Sequence, residues 1–584
     1  MTDHLIPPQS GGSGSSVPAD PRNGRPPVHP SISEAGRLLC AGTYLDGTYR
    51  DRVIDELYVH EERIAAPSYG FDATRVLAHA LRARRVELAW AGGIAGAWFV
   101  GGLLTSGMIT GLLFPFLLLS LANWLRRRQS VGLRILSMVV RAYAWLSFAF
   151  ILFLFWAILT DGTGSIFSSL FSDSSSGYGG YGGYGSRGYT GSDDTVPLTL
   201  WLTPLVFVAI VALVALQRGY GARIVARDLD PRRYADLSSD PVTQSARFAR
   251  VRERIRGEQH SALIMYDING PFTGAGEAYR PWQLSVELRP RDDLGPDRKP
   301  RPVSNADIVA RIVPLLQDLR VPSPHGSAQA QADVLDRLRE LVVDECVFMP
   351  AAGLPHRDRA RQVRDQFGAH RRGAVEEGGE ARRYFLRIRV GGWDENLVVT
   401  VFVRVHTQGG MLMLEVAPHV LLPVRTAFQK ADADAQRFLN NTWLGKAVAA
   451  LAATPGSFWG AVAGLFRGLA TWWRIVTGGH GGARPEGPQL SVRELAAMDD
   501  GSLFHLMDLD RYLKTIQDRV VGGVTVALHE AGWHTAEFAQ RAIHVAEGAT
   551  FIQSVSNSAF SVGGTGHHNT AGGGTSGKGS SGGK

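Results

Sequence analysis

Cysteine and lysine are both scarce in this chain of 584 residues. The two cysteines, Cys40 and Cys346, cannot build a disulfide framework or a four-thiolate metal site. Buried free thiols are the expectation for both. Lysine occurs only at Lys299, Lys430, Lys446, Lys514, Lys578 and Lys584, so the formal net charge of +7 is carried almost wholly by arginine. Arginine suits phosphate and anionic-lipid contacts. However, Arg, Ala, Gly and Val are abundant together and share GC-rich codons, which accounts for the bias without a function. Residues 1–30 lack an apolar core, which excludes a signal peptide and reads as a disordered cytosolic tail.

Asp, Glu, Lys, Arg and His are missing altogether from four runs, Leu88–Leu104, Met108–Trp124, Ala142–Thr160 and Pro197–Leu216. Each has roughly the 17 residues that a bilayer-crossing helix needs, or more. The first two form one apolar stretch in which Thr105-Ser106-Gly107 supplies a turn. Pro115 is expected to kink the second run and Pro204 the fourth. Arg82, Arg84 and Arg85 precede the first run, and Arg126, Arg127, Arg128, Arg134 and Arg141 separate the second from the third. Arg218, Arg223 and Arg227 follow the fourth, whereas 161–195 has Arg187 alone against four aspartates. The positive-inside rule then makes Leu88–Trp124 a hairpin within a four-span domain (87–216), with both termini cytosolic and Arg126, Arg127 and Arg128 as topology determinants. A re-entrant hairpin satisfies the same charges. Gly93, Ala97 and Gly101 recur every four residues and are expected to pack the first span on the second. The external loop 161–195, with its Gly-Tyr-Gly repeats, is too poor in aliphatic residues to form a core.

The remaining segments read as cytosolic. Residues 31–86 form a helical unit in which Asp72 caps a helix over Ala73–Arg85. Residues 217–440 read as an α+β domain with a mainly antiparallel sheet. Ser261–Asp267 is a strand, and Trp282, Leu284, Val286 and Leu288 alternate with polar neighbours in another. Tyr384–Val424 contains three strands separated by Gly391-Gly392 and Gly409-Gly410, an antiparallel meander. Helices are expected over Asn305–Arg320, capped at Ser304 and kinked at Pro314, and over Ala328–Leu341. Gly270–Gly276 leads into a strand and no Lys-Ser/Thr follows it, so a tight connection fits better than a phosphate loop. Arginines in His356–Arg372 suit either anionic headgroups or a solvated helix face.

Phe458–Val476 stands apart. Phe458, Trp459, Val462, Leu465, Phe466, Leu469, Trp472, Trp473 and Val476 share one helical face, opposite Gly460, Gly464 and Gly468 with Arg467 and Arg474. A fifth crossing would bury Arg467 in the bilayer, and a core helix would not need three tryptophans. A helix at the membrane interface accounts for both and makes Trp459, Phe466, Arg467, Trp472, Trp473 and Arg474 the interface candidates over 441–480. Residues 481–553 read as a helical C-terminal piece, with Ser491 capping one helix and others over Leu503–Val521 and Trp533–Glu547. His529 and His534 are five apart, not the four of a zinc-protease motif. A Gly/Ser-rich tail, 554–584, completes the chain.

The Arg-rich helix before paired apolar spans, together with Gly270–Gly276, resembles multi-pass integral membrane proteins of high-GC actinobacteria, to which no activity is attached. Three function classes remain: a membrane-anchored scaffold or signalling protein, an enzyme in the cytosolic domain, and a small-solute transporter or channel. Spans without Asp, Glu, Lys, Arg or His argue against transport, and no nucleophile–base, metal or phosphate constellation supports an enzyme. The expected partners are the lipid bilayer of the cell membrane, anionic lipid, a cytosolic protein and further copies of this chain. No cofactor, metal or nucleic acid is expected.

Overall fold

The structure is a computed structural model that describes residues 29–126, 131–161, 198–241, 245–294, 299–320, 340–377, 382–391, 396–478 and 483–551, with 338 and 379. The Gly/Tyr-rich loop, both tails and nearly all of the helix expected over Ala328–Leu341 lie outside these residues. Helices of eight residues or more carry numbers below.

Helices α1 (Glu34–Leu45) and α2 (Gly47–Ile54) precede α3 (Ala73–Leu104). The Asp72 carboxylate accepts the Thr74 N–H at 2.8 Å and starts α3. No breaker lies between the arginine cluster and the first apolar run, so both belong to one helix of 32 residues. It ends where expected. Ser106 and Gly107 have φ of 49° and 87°, and the Gly107 N–H donates to the Gly102 carbonyl at 2.7 Å. A short 3-10 stretch then leads into α4 (Leu113–Arg126). Pro115 sits in the first turn of α4, where its missing N–H has no intrahelical partner to lose. It starts that helix and does not kink a span. Helices α5 (Val131–Asp161) and α6 (Leu198–Arg223) follow, with Pro204 inside α6.

After α7 (Ala246–Glu258) come β1 (Leu263–Tyr266), β2 (Glu277–Ala278), β3 (Trp282–Glu287), α8 (Asn305–Gln317), β4 (Val342–Pro350), α9 (Phe367–Glu376), β5 (Arg383–Val390), β6 (Val398–Gln408) and β7 (Met411–Leu421). The sheet order is β1-β4-β5-β6-β7-β2, with β3 also on β7. The expected meander is β5-β6-β7. The sheet is mixed, however, because β1 runs parallel to β4 while the other neighbours are antiparallel. The apolar stretch around Cys346 is strand β4, paired with β5. In β3 burial alternates residue by residue, as its period-2 pattern requires.

The chain closes with α10 (Ala431–Leu439), α11 (Trp443–Thr477), α12 (Leu503–Glu530) and α13 (Ala536–Phe551). Helices α8, α9, α12 and α13 cover one sheet face, where Leu284, Val401, Leu414, Ile312, Ile516 and Phe538 share a core. The two C-terminal helices are therefore a layer of the α+β body. The other face carries an aromatic cluster of Phe348, Phe385 and Phe402, closed by Phe272 and His419.

Among the described residues, five helices are long and apolar enough to cross a membrane: Ala73–Leu104, Met108–Arg126, Gly132–Ile151, Leu202–Asp228 and Trp443–Thr477. Four were expected. The fifth, α11, enters the bundle core, with Ala461, Phe458 and Leu465 against Ile94, Trp98 and Phe116. It lies antiparallel along α3: Phe458 meets Trp98, Gly464 faces Ala91 and Gly468 faces Leu88. The small-residue stripe of α3 meets the second apolar run only at its end, where a Cβ at Gly101 would lie 3.9 Å from Ile109. Gly101 packs on Val206 of α6, and a side chain at Gly93 would meet open space. Between α3 and α4 the notable contact is Trp98 against Phe116, ring centroids 5.8 Å apart.

Beneath the bundle lies a basal layer built from distant segments. Leu39, Val53 and Val76 pack with Val225, Leu229 and Ile255, with Val424, Phe428 and Ala435, and with Val492 and Ala496. Helix α11 also departs from this layer, through Ala435 of α10, and returns to it, through Ile475. One body therefore holds the chain before α3, after α6, before α11 and after α11.

Candidate functional site: a charged clasp under the bundle

Where α3 and α11 emerge onto the basal layer, their charges meet those of α2. Arg50 pairs with Asp51 at 3.2 Å and with Glu87. Arg84 donates to Asp51 at 3.3 Å and to the backbone carbonyl of Arg467 at 2.9 Å. Arg467 reaches Asp51 and Glu87 at 3.8 and 3.6 Å, and Arg474 reaches Asp55 at 3.0 Å. Four guanidiniums thus face three carboxylates. The outer pairs are half-exposed and contribute about 0–1 kcal/mol each. Arg50 is buried, so removing Glu87 would leave its charge, away from water, to Asp51 alone. The clasp holds α11 against α3; it contains no nucleophile–base pair.

The interface candidates divide accordingly. Arg467 and Arg474 face the clasp. Phe466, Trp472 and Trp473 point outward, 68%, 55% and 60% exposed, while Ala461, Gly464 and Thr471 are buried against the bundle. Trp459 is half-buried with its ring edge on Phe458. Small residues inside and bulky apolar residues outside is the arrangement of a helix that packs in lipid. Arg126 is exposed at the end of α4, and Arg127 and Arg128 lie outside the described residues. Asp51, Asp55 and Glu87 escaped the sequence reading. Glu87 carried a signal, being a carboxylate one residue ahead of an apolar run.

The glycine loop is a closed site. The N–H groups of Gly274 and Gly276 both donate to one oxygen of Glu494, at 2.7 and 2.9 Å. Burial pushes the Glu494 carboxyl above the usual range, although these N–H groups pull it down. Gly276 has φ 91°, and a Cβ there would run into the Val420 carbonyl. Phe272 of the same loop stacks 4.4 Å from His419. The donors that could cradle a phosphate are thus engaged by the protein's own carboxylate. Ser491-Val492-Arg493-Glu494 caps no long helix and forms only a 3-10 turn over Glu494–Ala496. It delivers Glu494 to the loop, and Arg493, wholly buried, to the carbonyls of Tyr69 and Asn396.

Other candidate chemistry is muted. Burial pushes the thiols of Cys40 and Cys346 up to about 12, which leaves them protonated and unreactive. Among the described residues no group of three or more His, Cys, Asp or Glu is placed to hold a metal ion. A cleft between Glu56, His60, Glu61, Arg63, Glu258 and Arg357 has room for about one water. In His356–Arg372, Arg357 pairs with Glu258 at 2.7 Å and Arg371 pairs with Glu345.

Fold and clasp define a helix-bundle protein whose apolar helices are stitched to an α+β body. Residues 281–564 match the AbeC-like domain family, a span that runs from β3 past α13 and includes α11. No curated protein and no solved structure matches the chain.

Proposed function

We propose that this chain is a multi-pass protein of the cell membrane that holds its α+β body in the cytosol as a scaffold or signalling module for a cytosolic protein. Four helices, α3 to α6, cross, and α11 is re-entrant. The observation that carries this reading is the shared basal layer. Segments before and after each apolar excursion belong to one core, and one core cannot stand on both sides of a bilayer, so each excursion crosses an even number of times. A straight helix of 35 residues would be about 52 Å long. Yet Asp432, eleven residues before Trp443, is paired with Arg37 of the basal layer at 2.7 Å, and Ile475 returns there. Pro455, inside α11, is the position at which such a re-entrant helix would bend. The arginine clusters at the basal end support a cytosolic placement. Kinship with multi-pass proteins of high-GC actinobacteria fits the same picture.

Single cysteines test the topology. Ser106→Cys should react with an impermeant thiol reagent on intact cells, and Thr477→Cys only after permeabilisation. Labelling of Thr477→Cys from outside would end the re-entrant assignment. For the function, crosslinking in native membranes should recover one specific cytosolic protein through the α+β body. Solute flux in proteoliposomes, or a small ligand that raises the melting temperature, would favour transport or enzymatic readings instead.

A further inference from the structure

Four of the arginines that sequence alone offered to anionic lipid are engaged: Arg467 and Arg474 in the clasp, Arg357 and Arg371 with Glu258 and Glu345. A different set is free. Arg218 and Arg223 on α6, Arg227 on the turn after it and Arg232 beyond are all exposed. None has a carboxylate partner among the described residues. The acid beside them, Asp228, is held by Arg82 at 2.7 Å and by Arg233 at 3.4 Å. Their level is defined by the two cores. Val214 belongs to the bundle core, whereas Ile224 and Val225 are buried at the basal layer. Arg218 and Arg223 lie between, at the bundle's edge.

The same corner is aromatic and apolar. Tyr220 stands on α6 between the two arginines, its ring 6.1 Å from Trp90. Helix α10 packs on α6 and on the turn that carries Arg227. The elbow from α10 into α11 therefore brings in Trp443, Leu444 and Val448, which are 75%, 57% and 65% exposed. The Lys446 ammonium is turned back onto the Leu439 carbonyl at 2.8 Å, closing the end of α10. Unpaired guanidiniums above and a tryptophan with aliphatic side chains beside them match a phospholipid at the interface. The cations meet phosphate, and the indole sits at the glycerol level.

We propose that this corner, the exit of α6 together with the α10–α11 elbow, binds the headgroups of acidic phospholipids. The proposal rests on the membrane reading above and goes beyond it, since it assigns lipid selectivity to Arg218, Arg223 and Arg227. Acidic lipid is favoured over an acidic protein because the arginines share a level with exposed apolar side chains.

The test uses the full chain in nanodiscs of phosphatidylcholine with one-fifth or so phosphatidylglycerol, followed by extraction and measurement of co-purified lipid. The protein should retain phosphatidylglycerol over phosphatidylcholine. Arg218→Gln/Arg223→Gln/Arg227→Gln should lower that preference by about an order of magnitude, on the expectation that each near-surface cation contributes. Arg519→Gln, an exposed arginine on α12, should leave it unchanged. The triple lysine variant, which keeps the charges, should retain the preference and guards against a folding defect in the glutamine variant. Equal retention of both lipids, or an undiminished preference in the glutamine variant, overturns the proposal. So does arginine-dependent capture of an acidic protein without lipid selectivity. Failure of the chain to enter nanodiscs at all would instead remove the membrane reading.

Discussion

Substituting Gly468 by leucine probes which face of α11 packs inward. A Cβ at Gly468 would stand 2.6 Å from Cδ2 and 3.3 Å from Cδ1 of Leu88 on α3. Leu88 could yield to one methyl group, but a whole isobutyl group needs room that the α3–α11 contact lacks. Overpacking of this kind costs about 1–3 kcal/mol. Gly460→Leu is the control on the same helix, because nothing lies within 4 Å of a Cβ built there. Removing a glycine from a helix interior favours folding by up to about 1 kcal/mol. That gain is common to both variants, which should therefore differ by the overpacking cost of about 1–3 kcal/mol. At about 2–4 °C per kcal/mol for a domain of 150–250 residues, that is several degrees. Tryptophan fluorescence on heating in detergent reads the difference, with Gly468→Leu melting below and Gly460→Leu at or above the parent. Equal melting temperatures would refute the packing, and a lower one for Gly460→Leu would place the tight contact at Gly460 instead of Gly468.

Two further outcomes follow from the same packing. Gly101→Cys/Val206→Cys should oxidise readily to a disulfide between α3 and α6, whereas Gly93→Cys/Val206→Cys should not; the reverse would refute the packing of Gly101 on Val206. Burial lowers the His419 imidazole to about 4. A depressed histidine stabilises the fold above its ordinary value of 6.5, and that contribution is lost as pH falls from 6.5 towards 4. The loss is about 3 kcal/mol at most. The melting temperature should drop over that window, and less so in His419→Phe; identical pH profiles would show that His419 is not the group responsible.

Much of the architecture was legible because it depends on local chemistry. Apolar runs without charges became long helices, Ser106 and Gly107 turned the chain, and alternation in Trp282–Glu287 marked a strand with one buried face. What stayed hidden depends on partners distant in sequence. The amphipathic pattern of Phe458–Val476 shows two faces but not which one faces solvent or lipid, and Gly468 finds Leu88 only in three dimensions. Ser491-Val492-Arg493-Glu494 has the local spacing of a helix cap, yet Glu494 bonds to a loop more than 200 positions earlier, and those bonds override the local preference. The clasp was missed for the same reason, its carboxylates being contributed by α2, the residue that follows it and α3, and two of its arginines by α11.

The basal layer also imposes a timetable. Val76 and its neighbours leave the ribosome some 350 residues before Val424 and more than 400 before Ala496, with which they share a core. At about 5–20 residues per second, that is a wait of roughly 20–80 seconds with buried-type side chains exposed. The apolar helices between must be placed during that interval, before the core that fixes their ends exists. A chain stopped before Val424 would keep its early helices but leave their undersides bare, which makes the final third of the sequence the keystone of a structure begun at its first helix.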